Sequence, residues 1–288
     1  MHLDQLSARE LVDLFQDEDR QVPEAVAAEA DAIARAVELI EDTFRRGGRL
    51  IYVGAGTSGR LGVLDASEMP PTFGTDPALV QGIIAGGFDA LVRAQEGAED
   101  DREAGGEAVD ARAVTAADFV LGIATSGTTP FVHGALERAR ARGARTGFLL
   151  CTPPPDSLRA LHDVVIAPLV GPEIVTGSTR MKAGTATKLV LNTLTTAAMV
   201  RRGKVFGNLM VDLQVTCTKL QDRGERIVME TLDVDRGAAQ ALLAAARGSV
   251  KRALVMHLRK VQPDDADRLL EEADGVLARV IEPGGTSS

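Results

Sequence analysis

Residues 49–74 constrain the fold most strongly, because an apolar strand is followed there by a glycine- and hydroxyl-rich loop and then by a helical pattern. Gly54, Gly56 and Gly59 allow a tight backbone turn that exposes peptide N–H groups, and the following helix directs its positive dipole end toward the same point. Such an arrangement favours an anion, most often a phosphate. The sequence therefore predicts a phosphate site at the end of the first strand.

The same three glycines match the G-x-G-x-x-G fingerprint of dinucleotide-binding proteins, which is a weak signal when it stands alone. That class needs an acidic residue about 20 residues further on, at the end of the second strand, to bind the ribose hydroxyls. The predicted second strand, residues 78–85, ends instead in Gly86 and Gly87. Thr57 and Ser58 add hydroxyl donors that suit a compact phosphomonoester. A phosphomonoester site is the favoured interpretation, and dinucleotide binding and a purely structural turn are the alternatives.

An α/β fold is predicted from apolar runs that alternate with helical patterns. The runs are residues 49–54, 79–85, 118–124, 145–151 and 163–169. Runs that are apolar throughout, rather than at every second residue, are typical of a parallel sheet covered by helices on both faces. Helices are expected at about 57–68, 130–142 and 178–201.

Helical patterns also occupy the regions before and after the sheet. Residues 7–10 form a capping box that opens the first helix, and Pro23 opens a second helix that reaches about Arg46. After residue 204 only helices are expected, near 207–222, 224–232, 235–247, 250–260 and 263–280. The expected organisation is an N-terminal helical segment (1–39), a sheet domain (40–203) and a small all-helical C-terminal domain (204–288).

Composition and charge argue against several classes of function. The net charge of −9 opposes nucleic-acid binding, which needs a clustered basic surface. Cys151, Cys217 and the four histidines show no metal-ligand spacing, so we expect free thiols in a reducing compartment and no metal site. The start of the chain lacks the features of a signal peptide, and no run approaches the roughly 18 apolar residues of a membrane span. We therefore expect a cytoplasmic protein.

A second hydroxyl-rich loop follows the third predicted strand. Residues 125–130 read Thr-Ser-Gly-Thr-Thr-Pro, and Pro130 suits the first turn of the next helix. Ligands of parallel α/β sheets bind beyond the carboxyl ends of the strands, so both loops are expected to face one crevice. The alternative is that the hydroxyls of the second loop only cap the helix that follows. The phosphate-binding candidates of the two loops are Gly56, Thr57, Ser58, Thr125, Ser126, Gly127, Thr128 and Thr129.

Four long motifs resemble those of the N-acetylmuramic acid 6-phosphate etherase family. They occupy residues 54–72, 96–100, 173–185 and 203–212, and the resemblance extends over nearly the whole chain. It implies a sugar isomerase (SIS) fold that binds a phosphosugar. It also implies cleavage of a D-lactyl ether at C3, giving N-acetylglucosamine 6-phosphate and D-lactate during cell-wall recycling. The family members it resembles are homodimers without a metal or organic cofactor.

The resemblance places the two catalytic residues of the family on Glu68 and Glu99. Elimination of a C3 ether needs a base for the C2 proton and an acid for the departing lactate, and the resemblance implies Glu99 as the base and Glu68 as the acid. Glu68 is expected at the end of its helix, before Pro70 and Pro71, where the negative dipole end favours a protonated carboxyl. A straight helix of about 10 residues would separate Glu68 from a phosphate at its start by roughly 15 Å. Either the helix bends or Glu68 serves a site shared with another subunit.

The alternative for Glu99 is a solvated acidic surface, because acidic residues surround it in residues 96–103. Further along, the motif at 173–185 places hydroxyls and basic side chains at the expected start of the long helix, which suits an oxyanion or a lactate carboxylate. Solvated first-turn residues are the alternative there. The binding candidates of this motif are Glu173, Ser178, Thr179 and Lys182.

One departure from the family pattern concerns the second loop. Thr128 stands where many relatives carry an arginine, and the loss of a guanidinium weakens a contact with phosphate. Two alternative functions therefore stay open. One is a non-catalytic phosphosugar sensor such as the glucokinase regulatory protein, which carries two such domains where this chain has room for one. The other is a sugar-phosphate isomerase, which would release no lactate.

Overall fold

The structure, a computed structural model, describes residues 2–213 and 218–281. Its five strands are β1 (Leu50–Gly54), β2 (Val80–Ile84), β3 (Phe119–Ile123), β4 (Arg145–Leu149) and β5 (Val164–Ile166). Before and between the strands lie α1 (Ala8–Asp19), α2 (Gln21–Ala27), α3 (Ala30–Arg45), α4 (Gly56–Phe73), α5 (Arg102–Ala111), α6 (Pro130–Ala141) and α7 (Asp156–Leu161). After the sheet follow α8 (Lys182–Arg201), α9 (Thr218–Leu232), α10 (Arg236–Ala245), α11 (Val250–Arg259), α12 (Pro263–Glu272) and α13 (Leu277–Ile281).

The five strands form one parallel sheet in the order β2-β1-β3-β4-β5. Every residue of β1 and β3 is buried, as the solid apolar runs predict. The core on one side of the sheet includes Val53, Val120 and Phe148 together with apolar residues of α6. The predicted α/β fold with a parallel sheet covered by helices is therefore confirmed.

By compactness the chain divides into two units. The first comprises residues up to 67 together with 78–195 and contains the sheet. The second comprises 68–77 together with residues from 196 onward and is helical in its described part. The predicted boundaries at residues 40 and 204 remain predictions.

Within the first unit, α5 and α6 pack at the closest distance that their backbones allow. A Cβ atom at residue 105 would lie 2.0 Å from the carbonyl oxygen of Phe131, and one at residue 134 would lie 1.9 Å from that of Arg102. Only glycine fits at both positions, and Gly105 and Gly134 occupy them. This packing fixes the segment just before α5 against the start of α6.

Within the second unit, Lys251 is the buried polar centre. Its ammonium donates to Asp212 Oδ2 at 2.6 Å, to the carbonyl of Gly275 at 2.7 Å and to that of Gly203 at 3.1 Å. Burial lowers the pKa of Lys251, while the Asp212 carboxylate opposes that effect. The side chain thus ties α11 to the two ends of the helical region.

Several predicted helix boundaries are wrong. The capping box at Ser7 is present and opens α1, but the helix expected from Pro23 to Arg46 is interrupted at Ala28 and Glu29. The helix expected over 263–280 is likewise divided, because Asp274 and Gly275 both adopt positive φ. Residues 207–213, which were expected in a helix, are not helical, and residues 214–217 lie outside the described part of the chain. None of the described helices combines the length and apolarity needed to cross a bilayer.

Candidate active site

The first predicted phosphate loop forms the start of α4. β1 ends at Gly54, and α4 begins at Gly56, whose φ of +52° lies in the left-handed region. Thr57 is half-buried and Ser58 is buried within the first turn. Peptide N–H groups of a first helical turn have no partner within their own helix, so this turn can bind an anion. The predicted ligands of this loop thus lie together at one helix start.

The second predicted loop connects β3 to α6 and turns its carbonyl groups toward protein partners. The carbonyl oxygen of Ser126 accepts a hydrogen bond from Thr152 Oγ1 at 3.1 Å, and that of Gly127 accepts one from His133 Nε2 at 2.8 Å. The hydroxyls of Ser126 and Thr128 lie 2.9 Å apart at the exposed tip of the loop. Carbonyl oxygens repel phosphate, so their engagement leaves this hydroxyl pair as the exposed polar surface of the loop.

Simple helix capping does not account for this second loop. Thr129 is the N-cap residue of α6, yet its side chain makes no capping hydrogen bond. Asp101, in contrast, caps α5 by accepting a hydrogen bond of 2.9 Å from the Ala104 N–H. The Thr129 hydroxyl is therefore not used by its own helix.

The two loops leave the sheet at the same edge. β1 and β3 are adjacent and parallel, and Gly54 pairs with Ile123 at their carboxyl ends. Each loop begins within two residues of this pair. Both loops therefore follow adjacent strands, and the expectation that they face one crevice remains a prediction.

Glu99 and Gly56 line one pocket of about 170 Å³. The peptide carbonyl of Glu99 accepts a hydrogen bond of 3.0 Å from the N–H of Phe131, in the first turn of α6. Its side chain is exposed. The backbone of Glu99 is thus fixed next to the second loop, and the residue lines a pocket together with Gly56 of the first loop. A carboxylate in this position is available for proton transfer.

Glu68 lies on α4, and the predicted end of that helix before Pro70 is wrong. α4 continues through Pro70 and Pro71 to Phe73, and the N–H of Gly74 donates to the carbonyl of Pro70 at 2.9 Å. The two prolines remove two helical hydrogen bonds. Met69 and Phe73, which are 3% and 4% exposed, compensate by burial of apolar surface. The negative dipole end of α4 therefore lies beyond Glu68 and does not favour a protonated carboxyl there, because the last turn of the helix begins after that residue.

The long helix α8 begins at Lys182, four residues later than predicted. The carboxylate of Glu173 accepts hydrogen bonds of 3.0 Å from the N–H groups of Lys182 and Ala183. Ser178 and Thr179 lie in the loop before the helix. A carboxylate at this helix start satisfies two donors and interacts favourably with the helix dipole. Glu173 therefore occupies the place that the sequence assigned to a ligand anion.

The Lys182 side chain is buried against the N-terminal helices. Its ammonium, 1% exposed, donates to Glu18 Oε2 at 2.6 Å. The hydrogen bond from Lys182 and its charge hold the pKa of Glu18 below the ordinary value. Nothing in the sequence signals this pairing, because Glu18 and Lys182 lie far apart in the chain. Binding of substrate by Lys182 remains a prediction.

The first turn of α8 adjoins both loops. Cys151 donates its N–H to the carbonyl of Thr125 at 2.9 Å and its thiol to the carbonyl of Ala183 at 3.7 Å. A Cβ atom at Gly184 would lie 3.6 Å from the methyl group of Thr57. The segments that carry most of the predicted phosphosugar ligands are therefore neighbours.

Of the two cysteines, Cys151 lies half-buried in the described part of the chain. Burial raises the pKa of Cys151 to about 12, so its thiol is not ionised at neutral pH. Cys217 lies outside the described residues. Among the residues that are described, no group of three or more His, Cys, Asp or Glu side chains could hold a metal ion.

The pocket also contains polar residues outside the predicted set. Arg60, Gln95 and Glu96 line it together with Glu99. Arg60 could have been found from sequence, because it lies one helical turn after Gly56 and therefore on the same side of α4. Gln95 and Glu96 carry no such signal.

Comparison with known proteins gives one family model and many close relatives. Residues 31–140 match the model of the glucokinase regulatory protein N-terminal SIS domain. N-acetylmuramic acid 6-phosphate etherase of Salinibacter ruber is 55% identical over 98% of this chain and 90% of its own length. The etherase of the same name from Synechococcus elongatus is 54% identical over 97% of the chain and 91% of its own length.

Solved structures agree with the fold. A phosphoheptose isomerase from Francisella tularensis aligns with 68% of this chain and 100% of its own, with a TM-score of 0.52 and 16% identity. At that identity the likeness concerns the fold alone. The curated relatives decide the family, because their identity extends from the first phosphate loop to the helical region. The chain belongs to the N-acetylmuramic acid 6-phosphate etherase family.

Proposed function

We propose that this protein cleaves the D-lactyl ether of N-acetylmuramic acid 6-phosphate and releases N-acetylglucosamine 6-phosphate and D-lactate. It is a carbon–oxygen lyase that acts on a phosphosugar, as its relatives are named. The observation that carries the proposal at the site is the shared pocket of Gly56 and Glu99, which joins a phosphate-binding helix start to a carboxylate.

The 6-phosphate binds between the two hydroxyl loops. The first turn of α4 supplies peptide N–H groups and the hydroxyls of Thr57 and Ser58. The second loop supplies the hydroxyl pair of Ser126 and Thr128. The second loop carries Thr128 at the position where many relatives have an arginine. Neutral donors and the helix dipole therefore dominate the contact with the phosphate.

Glu99 acts as the base. When the sugar ring opens, the C1 aldehyde acidifies the C2 proton, and the Glu99 carboxylate removes it. Loss of that proton expels the lactate oxygen from C3, and water then adds at C3 to restore the hydroxyl. The Glu68 carboxyl protonates the departing lactate oxygen and then deprotonates the incoming water. As water adds at C3, protonated Glu99 returns its proton to C2, and Glu68 regains from the water the proton that it gave to lactate, so atoms and charges balance.

We also propose that the protein works as a cytoplasmic homodimer. α4 is continuous from Gly56 to Phe73, so Glu68 lies about 18 Å from the start of its helix by the rise of 1.5 Å per residue. This separation supports a site that Glu68 shares with another subunit. Phe88 and Val92 are 82% and 77% exposed, which supports an apolar contact surface in the first unit. Light scattering at micromolar concentration tests the dimer, and the monomer mass of 30.3 kDa would contradict it.

The direct test of the activity is an assay for D-lactate. The protein is incubated with N-acetylmuramic acid 6-phosphate, and D-lactate and N-acetylglucosamine 6-phosphate are expected in equal amounts. Conversion of another sugar phosphate without lactate would indicate an isomerase. Tight binding of phosphosugars without any turnover would indicate a sensor.

A further inference from the structure

Arg60 is a fixed cation within the candidate active site. Its Nε–H donates to the carbonyl of Leu91 at 3.1 Å, and the residue is half-buried on the second turn of α4. In the parts of the chain that are described, the guanidinium forms no ion pair with a carboxylate, unlike Arg49, which binds Asp118 at 2.8 Å. The single bond through Nε holds the side chain in place and leaves the two terminal nitrogens, Nη1 and Nη2, available to a ligand.

Without Arg60, the charged side chains of this pocket would all be negative, which opposes the binding of an anion. Of the described residues that line the pocket, Glu96 and Glu99 are acidic and Arg60 alone is basic. A negatively charged group can enter beside two carboxylates only if it meets a cation, because an uncompensated like charge at close range is repulsive. An arginine with two free terminal nitrogens matches a carboxylate in a bidentate geometry.

Two other candidates for an anionic group are already engaged. The start of α8 is capped by the carboxylate of Glu173, and the Lys182 ammonium binds Glu18. From the sequence, that segment suits an oxyanion or a lactate carboxylate. Because those groups are engaged, Arg60 is the better candidate to bind a lactate carboxylate.

We propose that Arg60 binds the carboxylate of the D-lactyl group and thereby distinguishes the ether substrate from its product. This inference rests on the proposed function. The lactyl group is attached at C3, one bond from the C2 carbon at which Glu99 acts, so its carboxylate falls within reach of the pocket that Glu99 and Arg60 share. The product carries a hydroxyl at C3 and gains nothing from Arg60.

The contact also serves the elimination itself. Arg60 holds the lactyl group while the C3–O bond breaks, so the departing anion stays next to a positive charge. Leu91, which accepts the Nε bond, lies in the segment that leads to Glu99. The base and the carboxylate-binding cation are therefore positioned by one short stretch of chain.

The test compares Arg60→Gln with the parent protein on three ligands. These are the ether substrate, its lactyl carboxamide, and N-acetylglucosamine 6-phosphate as a competitive inhibitor. For the acid substrate we expect kcat/KM to fall by about 10–100-fold, the range for a lost hydrogen-bonded charge pair. With the parent protein, kcat/KM for the carboxamide should be lower than for the acid by a similar factor. Arg60→Gln should reduce kcat/KM for the carboxamide only slightly further. The inhibition constant of the product should change by less than about twofold, because the product lacks the group that Arg60 binds.

Arg93→Gln is the matched control, since Arg93 is an exposed arginine close in sequence that does not line the pocket. It should leave all three measurements unchanged. Equal loss on the acid and the carboxamide in Arg60→Gln, or an equal loss of product binding, would overturn the proposal and assign Arg60 to the phosphate or to pocket shape. If Arg60→Gln does not fold, Arg60→Lys is measured in the same way. Lysine lacks the bidentate fork of arginine. An unchanged preference of Arg60→Lys for the acid over the carboxamide would contradict the proposal. Absence of lactate release from the parent protein would instead contradict the proposed function.

Discussion

The Glu173 carboxylate accepts a hydrogen bond of 3.0 Å from the N–H of Lys182 and so caps the helix that begins there. Its second oxygen accepts a bond of the same length from Ala183. The motif that reads as an oxyanion site in the sequence thus contains its own anion. Glu173 fixes the first turn of α8, and that turn lies against Thr57 at the start of α4.

Glu173→Ala is expected to destabilise the protein by about 1–2 kcal/mol, as loss of a helix cap does. Urea denaturation measures the change. Asp235→Ala is the control, because Asp235 caps α10 through Ala238 and should lose stability without altering the kinetics of the phosphosugar reaction. Loss of activity in Glu173→Ala at an unchanged urea midpoint would instead assign Glu173 to substrate binding, as the sequence predicts.

Gly59→Ala is expected to destabilise the phosphate loop by about 1–3 kcal/mol, the usual cost of overpacking. The added Cβ would lie 2.6 Å from Ile84 Cγ1 and 2.8 Å from the carbonyl oxygen of Gly54. The backbone carbonyl cannot move without opening β1. Gly106→Ala in α5 is the matched control, because its Cβ meets only ordinary contacts at 3.4 Å or more from Arg138. If both variants have the melting temperature of the parent protein, the loop accommodates the added methyl group without cost, which contradicts the prediction.

His162 should make stability depend on pH between about 6.5 and 4. Burial, followed by the charges of Arg140 and His133, lowers its pKa from 6.5 to about 4, against the opposing effect of Asp163. In the unfolded chain His162 takes up a proton near pH 6.5, whereas in the folded protein it stays neutral down to about pH 4. The contribution of neutral His162 to the free energy of unfolding is therefore fully present above pH 6.5 and is lost as the pH falls toward 4. His162→Asn, which can keep the bond to Thr146, should flatten this slope in urea denaturation at several pH values. The exposed His257→Asn should retain the slope, and an equal slope in all three proteins would refute the assignment.

Local patterns predicted the sheet and both hydroxyl loops, because buried parallel strands and glycine turns are encoded within a few residues. What the sequence did not reveal depends on distant contacts. α4 passes through Pro70 and Pro71 because Met69 and Phe73 are buried, which no local rule contains. The start of α8 was misplaced because its cap, Glu173, lies nine residues before Lys182 in the chain.

The pocket was only half predicted for the same reason. Family resemblance indicates Glu99, whereas the pocket that it lines with Gly56 forms between segments that are distant in the chain, and the bond from Phe131 to the Glu99 carbonyl holds one of them against α6. Arg60 lies one turn after Gly56 on α4. A spacing of four residues on a helix places both on the same side, so the sequence contains a local signal for Arg60.

Solvent exchange tests most directly whether Glu99 is the base for the C2 proton and Glu68 the acid for lactate. N-acetylglucosamine 6-phosphate is incubated in deuterium oxide with Glu99→Gln, Glu68→Gln or, as a control, the exposed neighbour variant Asp100→Asn. Glu99→Gln should incorporate no deuterium at C2, because an amide cannot accept the proton. Glu68→Gln should keep the exchange while lactate release from the ether falls by about 10²–10⁴-fold, and Asp100→Asn should behave as the parent protein does. Exchange that persists in Glu99→Gln and is lost in Glu68→Gln would contradict the assignment of the two roles.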